Sequence, residues 1–450
     1  LVKEFRLETI DKAPRKLCFL KQAFFTLALF CYIFNFTLLS VGVSAAVFVL
    51  VGCAVALVLK SSYRDHLIHA VAENLVLFLL LVFAGLYGST LSALMGDGEV
   101  VFAGIFFKNV AFFTAAVVLG LRLKSEADSL GSNSPAKGIL YVFDLCFYAI
   151  FIQGVLVIWT FIDPSMKELL SDLILNRGNI DLDHAFRFRG LHDSGGFTLG
   201  VILGLGAVYG MFTFVTKTVE NSLLRLFMVI VLFFSTLLVA RTGIVVVIIG
   251  LVMLLIRWPT VRHLCAYLFL FLFCFIVVIF AKIFFSEQYD FFNDVIFGYA
   301  FEFFVNYQSG QGLRTESSDD LKTMLFIPDL FHMFFGSGSY DLPSNGVDRS
   351  DSGYMKTLLA SGVLGVFIVY GAYASIALRI RNTLRMEKNI PEILGILGII
   401  LLVIEIKAPV FYQNDTSRLF WLVYGTVLAY SISAKRTSVH MPADAPRICT

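Results

Sequence analysis

Residues 226–256 read LFMVIVLFFSTLLVA, then Arg241-Thr242-Gly243, then IVVVIIGLVMLLI. Two long apolar runs, Val231–Ala240 closing the first and Ile244–Ile256 forming the second, stand on either side of one guanidinium group. Runs of this kind have no place on the surface of a water-soluble domain, and about 20 such residues suffice to cross the hydrocarbon core of a bilayer. The whole chain has the same character. Of its 450 residues 58% are hydrophobic and 15% charged, with 47 Phe and a mean hydropathy of +0.82. Soluble domains carry about 25% charged residues. The composition excludes a soluble globular enzyme, a disordered chain and a disulfide scaffold.

The fold class expected is an all-α polytopic membrane protein. Hydropathy marks about 12 transmembrane helices: 23–41, 43–59, 74–94, 100–121, 139–161, 195–216, 223–240, 243–256, 264–285, 353–378, 392–408 and 418–433. The eighth is short, so the break at Ala240-Arg241-Thr242-Gly243 is expected to dip into the membrane under cover of protein or water. An even number of spans places both termini on one side. With the termini in the cytoplasm, 22 of the 35 Lys and Arg fall inside and 11 outside, while Lys108 and Lys356 lie within spans. The short outer turns near 42 and 97 carry neither Lys nor Arg. This is the asymmetry that sets orientation. The first apolar run follows a charged stretch with no small-residue cleavage site, so it reads as a membrane helix rather than a cleaved signal.

This divides the chain into a basic cytoplasmic segment (1–22), helices one to five (23–161), a first large outer loop (162–194), helices six to nine (195–285), a second large outer loop (286–352), helices ten to twelve (353–433) and a cytoplasmic tail (434–450). The two outer loops mix aromatics with charge, as in Phe186-Arg187-Phe188-Arg189 and Phe301-Glu302-Phe303-Phe304. That pattern predicts short helices lying at the membrane surface. None of the seven Cys falls in an outer loop and no Cys-x-x-Cys spacing occurs, which argues against disulfides and thiolate metal sites. Asp181-Leu182-Asp183-His184 has the form of a weak carboxylate metal motif. No Walker A loop is present, so no nucleotide cofactor is expected, and nothing points to nucleic acid.

The candidate chemistry lies on the outer face. Arg241 between its two apolar runs costs about 3 kcal/mol on insertion scales, and an anion should offset that. Arg suits phosphate because its planar fork donates two parallel hydrogen bonds. Arg177, Arg187 and Arg189 in the first loop and Arg314 and Arg349 in the second are further cations on that face. Gly196, Gly200 and Gly204 recur every fourth residue, the spacing that lets membrane helices approach closely, and would hold Arg187 and Arg189 in place. Asp351, just before span ten, reads equally as a helix cap and as a general base toward a substrate hydroxyl. His332, beside Asp329, is a second candidate base.

In order along the chain, Arg187-Phe-Arg189-Gly190 before a glycine-rich span, Ser235 through Arg241-Thr242-Gly243, Phe335-Gly336-Ser337-Gly338, and Asp351-Ser352-Gly353-Tyr354 followed by Leu358-Leu359 and Gly362 resemble the Wzy-type O-antigen and polysaccharide polymerases. These are relatives of the WaaL O-antigen ligases and, more distantly, of the SEDS peptidoglycan polymerases. Arg189 and Gly200 fit an Arg-x10-Gly spacing. The second loop departs from it, since Leu325 follows Arg314 at that distance and Ala360 follows Arg349.

The resemblance implies a GT-C-like fold in the bacterial inner membrane with a periplasmic site. It implies metal-independent inverting transfer between undecaprenyl-pyrophosphate-linked oligosaccharides, both donor and acceptor, in lipopolysaccharide biosynthesis. A chain-length co-polymerase and a flippase are the implied protein partners. Arg241, Arg189, Arg187, Arg314 and Arg349 would bind pyrophosphate, Asp351 or His332 would act as base, and Tyr354 would position substrate. The first outer turn, Val41 to Ser44, has no carboxylate for a divalent metal. The ligases place a His where this chain has Asp351. An O-antigen ligase is the nearest rival, and a lipid-linked oligosaccharide flippase is the rival of another class, although only Lys108, Lys356 and Asp144 supply charge deep in the spans.

The orientation has a direct check. Cysteines introduced as Leu175→Cys and Asp320→Cys should both react with a membrane-impermeant maleimide added from outside. Protection of both overturns the orientation.

Overall fold

The computed structural model describes residues 15–34, 36–38, 42–95, 101–130, 134–174, 188–192, 196–216, 221–259, 302–310, 322–339, 350–385, 389–411 and 414–439, with isolated positions between 272 and 319. The helices are α1 (Arg15–Ile33), α2 (Ala45–Leu59), α3 (Ser61–Glu73), α4 (Leu75–Met95), α5 (Val101–Ser129), α6 (Pro135–Ile162), α7 (Pro164–Leu173), α8 (Gly196–Val215), α9 (Ser222–Val239) and α10 (Arg241–Arg257). They continue with α11 (Glu302–Gln308), α12 (Leu330–Phe335), α13 (Gly353–Thr383), α14 (Asn389–Ile404) and α15 (Asn414–Val439). Among the described residues six helices are long and apolar enough to cross a membrane, and the pair α2–α3 makes a seventh if its two arms, bent by 106° at Lys60, form one span. The expected ninth span, 264–285, lies almost wholly outside the described residues.

The first expected span changes shape. The helix read as 23–41 ends at Ile33, and a short hairpin follows, β1 (Thr37–Leu38) against β2 (Val43–Ser44), with Thr37 opposite Ser44 and Leu38 opposite Val43. Gly42 supplies the positive φ of 66° in its turn. Hydropathy alone cannot separate a buried strand from a helix over so few residues.

The core is built around α8. It is apolar all round its circumference and nearly all of it is buried, as such a helix must be. Its glycines let three neighbours touch its backbone. A methyl group added at Gly206 would fall 2.7 Å from Ile150 of α6, and one at Gly210 would fall 2.6 Å from Val229 of α9. Gly196 meets Val239 at the end of α9, whereas Gly200 meets Gly243 and Gly204 meets Val246 in α10. Positions rising along α8 therefore meet positions falling along α9 and rising along α10. α9 and α10 form an antiparallel hairpin with Ala240, in extended conformation (φ −164°, ψ 143°), as its single non-helical residue. A second close pair, α5 with α15, meets at Gly120 and Gly425, where an added methyl at Gly425 would lie 2.4 Å from the Ala116 carbonyl.

The two ends of the bundle differ. One end carries the starts of α8, α10, α13 and α15 and the ends of α6, α9 and α14, and residues 188–192 and Glu302 of α11 lie there. We call it the outer end. At the other end Arg257 pairs with Glu392, Arg379 bonds Asn74 at 2.7 Å, and Arg225 bonds Asp144 at 2.7 Å beneath the Phe147 ring. Asp144, one of the few charges deep in the apolar spans, is thus closed by an ion pair.

The close approach of α8 to the hairpin makes a sharp comparison. Gly243→Ala places a methyl 2.7 Å from the Gly200 carbonyl oxygen. It should cost about 1–3 kcal/mol, as overpacking does. Gly371→Ala on α13 meets no atom within 4 Å and should be neutral or stabilising. Thermal unfolding of both variants in the same detergent checks this.

Candidate functional site

Arg241 is the first residue of α10, at the tip of the α9–α10 hairpin. α9 and α10 have 18 and 17 residues, which gives about 27 and 26 Å of helix at 1.5 Å per residue. Both fall short of the roughly 30 Å hydrocarbon thickness. The tip therefore lies close under the outer boundary. The anion that burial of a guanidinium demands is present: Arg241 Nη1 lies 2.5 Å from Glu302 Oε2, with the two side chains 18% and 23% exposed. Glu302 opens α11, in the segment expected to be the second large loop. Hydropathy pointed to the need for a counter-charge but not to its source.

Residues 188–192 form a strap over the same corner. Phe188 N–H donates to the Leu238 carbonyl at 3.3 Å, and Gln153 of α6 binds both sides of the turn, donating to the Arg189 carbonyl at 2.8 Å and accepting from Leu191 N–H at 3.4 Å. Gly190 (φ 55°) makes that turn, and a methyl there would strike Gln153 at 2.9 Å. Arg189, half-buried, is thereby anchored next to the strand of backbone that leads into Arg241. Beyond it His192 Nε2 lies 2.5 Å from Asp415 Oδ2 at the start of α15, and Asp415 in turn is 3.3 Å from Arg418. Arg418 donates to the Tyr32 carbonyl at 3.3 Å and lies over the Phe112 ring. This buried triad ties the strap to α1, α5 and α15.

α13 is two helices in one. Gly362 (φ 62°, ψ −173°) breaks it, and the Tyr354 and Tyr370 rings, 16 residues apart, stand 5.1 Å from centroid to centroid. A straight helix would separate those positions by about 24 Å, so the arms fold toward each other. The break strips the carbonyls of Leu359 and Ala360 of their helical partners. Phe335-Gly336-Ser337-Gly338 supplies replacements: Ser337 N–H donates to Leu359 at 2.7 Å and Gly338 N–H to Ala360 at 2.9 Å. Irregular backbone at this depth survives only when protein satisfies it. Gly336 and Gly338 (φ 78° and 77°) lie against backbone, the latter 2.4 Å from Ser92 N of α4 for an added methyl. The glycine motif is thus a plug for a broken helix.

The candidate bases occupy different places. Asp351 is 69% exposed, precedes the cap residue Ser352, and lies 3.4 Å from Lys356. It caps nothing. His332 sits on α12, paired with Asp329, whose carboxyl caps that helix and is held below its ordinary pKa first by the His332 side chain. The α12 segment docks on the last turn of the first arm of α13, about 13 Å along the helix from Asp351. Tyr354 donates its hydroxyl to the Leu402 carbonyl at 2.9 Å and so fastens α13 to α14. Arg187, Arg314, Arg349 and the Asp181-Leu182-Asp183-His184 motif lie outside the described residues. Among the described residues no three His, Cys, Asp or Glu side chains converge as metal ligands would.

The sequence reading passed over Glu405. It is fully buried where the outer ends of α13, α14 and α15 meet. It accepts from Tyr370 Oη at 2.7 Å and from Val410 N–H at 2.7 Å, and its own carbonyl accepts from Gly353 N–H at 2.8 Å. A methyl at Gly353 would lie 2.3 Å from its carboxylate. Glu405 therefore sets where α13, and with it Asp351, begins. A carboxylate closing an apolar run is a signal by itself. The chain matches no family model, and no curated protein is similar to it.

Glu405→Ala should leave the Val410 N–H without a partner and the Tyr370 hydroxyl with only its 3.3 Å contact to Thr357 Oγ1. At about 1–3 kcal/mol for each buried group, a clear fall in thermal midpoint is expected. Glu405→Gln, which retains an acceptor, should recover part of it.

Proposed function

We propose that this protein is a polysaccharide polymerase of the O-antigen type, with about twelve spans in a GT-C-like arrangement. In this reading it joins lipid-linked oligosaccharide repeat units at the outer end of the bundle. The observation that carries the reading is Arg241: a guanidinium held at a hairpin tip near the membrane boundary, its charge met by Glu302 from a different segment, with the backbone of the Arg189 strap bonded to Leu238 at the end of α9. The resemblance in the order of short motifs adds to it.

The donor is a glycan whose first sugar is bonded to a lipid diphosphate. Bond cleavage at the anomeric carbon leaves the electron pair, and negative charge, on the diphosphate. Fixed donors aimed at developing charge are the largest single source of such catalysis. In this reading the diphosphate displaces Glu302 from Arg241, and Arg189 adds a second cation. The acceptor hydroxyl attacks from the face opposite the leaving group, which inverts the anomeric centre, and its proton passes to the Asp351 carboxylate late in the transition state. The energy of the glycosyl diphosphate drives the reaction, and guanidinium groups take the place of a divalent ion.

Purified protein given an authentic lipid-linked repeat unit should produce a ladder of products without added metal. Unreacted monomer, or transfer only to a lipid A core acceptor, overturns the reading. Arg241→Lys should lower turnover by about 100-fold, because the bidentate fork is lost. Glu302→Gln separates two roles for the ion pair. If Glu302 is a displaceable competitor, KM falls and turnover is kept; if the pair only holds the fold, both activity and thermal stability drop.

A further inference from the structure

A cavity of about 580 Å³ runs between α6, α8, α13, α14 and α15, from Tyr370, Phe411 and Thr416 near the outer end to Arg381 and Pro391 at the opposite end. That is the size of a ligand site, commonly about 300–1,000 Å³. It extends along α14 from Pro391 to Leu402, about 16 Å of helix. Its wall is mostly Phe, Leu, Ile, Ala and Gly, with Tyr209, Tyr370, Tyr373 and Thr416 as its few polar side chains, and among the described residues Arg381 is the one charged side chain in it. The rim residues Leu378, Ile399 and Leu402 are exposed on the outer surface of α13 and α14, where the hydrocarbon core would lie. Two glycines of α14, Gly395 and Gly398, line the cavity, and a methyl group on either would meet no atom within 4 Å. The hole is therefore not a packing fault that neighbouring side chains have closed.

The cleft is open along this rim, and its mostly apolar wall favours hydrocarbon over water. A hydrocarbon chain entering between α13 and α14 would fill it. Arg381 says which kind of lipid. It is exposed at the cavity mouth, at the end of the bundle opposite Arg241, and among the described residues no hydrogen bond or ion pair occupies its guanidinium, which leaves it available to an anion entering there. A guanidinium at the mouth of an apolar cleft is matched by a phosphodiester at the head of a lipid chain.

We propose that this cavity is a binding site for one anionic phospholipid, its phosphate at Arg381 and an acyl chain lying along α14 from Leu394 to Leu402. The site does not depend on glycosyl transfer. A lipid-linked sugar bound at the outer corner would carry its diphosphate at the other end of the bundle.

Native mass spectrometry of the full chain in detergent, titrated separately with phosphatidylglycerol, phosphatidylcholine and undecaprenyl phosphate, tests this. One phosphatidylglycerol should be retained, at least tenfold more tightly than phosphatidylcholine. Arg381→Gln should lower its retention about tenfold. Gly398→Leu should abolish retention and also make the thermal midpoint insensitive to added phosphatidylglycerol, because the new side chain fills the space; an unchanged helical spectrum shows that this variant is folded. Equal retention of the two phospholipids overturns the proposal. So does retention that survives both substitutions, or displacement of phosphatidylglycerol by undecaprenyl phosphate. A protein that remains lipid-free and forms a dimer through this face overturns it as well. None of these outcomes bears on whether a polymer ladder forms.

Discussion

Backbone contact between α8 and the α9–α10 hairpin governs the position of everything at the outer corner. Gly200 and Gly243 approach so closely that a single added methyl group would strike a carbonyl oxygen at 2.7 Å. In a membrane there is no hydrophobic drive pulling helices together, so close packing and hydrogen bonding must do it. The glycines allow that packing over the first two turns of α8 and hold the hairpin tip at a fixed height. Arg241 is the first residue after the tip. Its depth and its half-buried state follow from glycine positions on another helix.

The second constraint is the broken helix. A continuous α13 would have satisfied its own carbonyls. Gly362 gives that up, and the Ser337 and Gly338 N–H groups restore it. In return the first arm of α13 is turned back so that Gly353 meets Glu405 and Tyr354 meets Leu402. Asp351 is placed by this chain of contacts, exposed and beside Lys356. One buried carboxylate and one glycine plug thus determine where an exposed carboxylate stands.

The buried charges sort by end. At the outer end Asp415 is shared between His192 and Arg418, across 223 residues of sequence from the histidine. At the opposite end Asp144 accepts from both Arg225 and the Tyr209 hydroxyl. Such pairs contribute little net stability over apolar packing, but breaking one strands a charge in a low-dielectric interior. They act as pins that fix which helices are neighbours. Arg381 differs because it is exposed at the mouth of the cavity and has no hydrogen bond or ion pair among the described residues.

Much of this was legible in the order of residues. Hydropathy establishes a multi-pass helical membrane protein, because no water-soluble surface can be made from this composition. The stripe Gly196, Gly200, Gly204 announces close helix packing, and Arg241-Thr242-Gly243 announces a break with a charge that needs an anion. These are local patterns, and a periodicity or a run can be read within a few turns. Glu302 as that anion, the hairpin at Thr37–Ser44, the repair of α13 by Ser337 and Gly338, and the roles of Glu405 and His192 were decided only by the tertiary structure. Each depends on which distant segment arrives beside a buried polar group, and a buried hydrogen bond leaves no trace in the residues next to it in sequence.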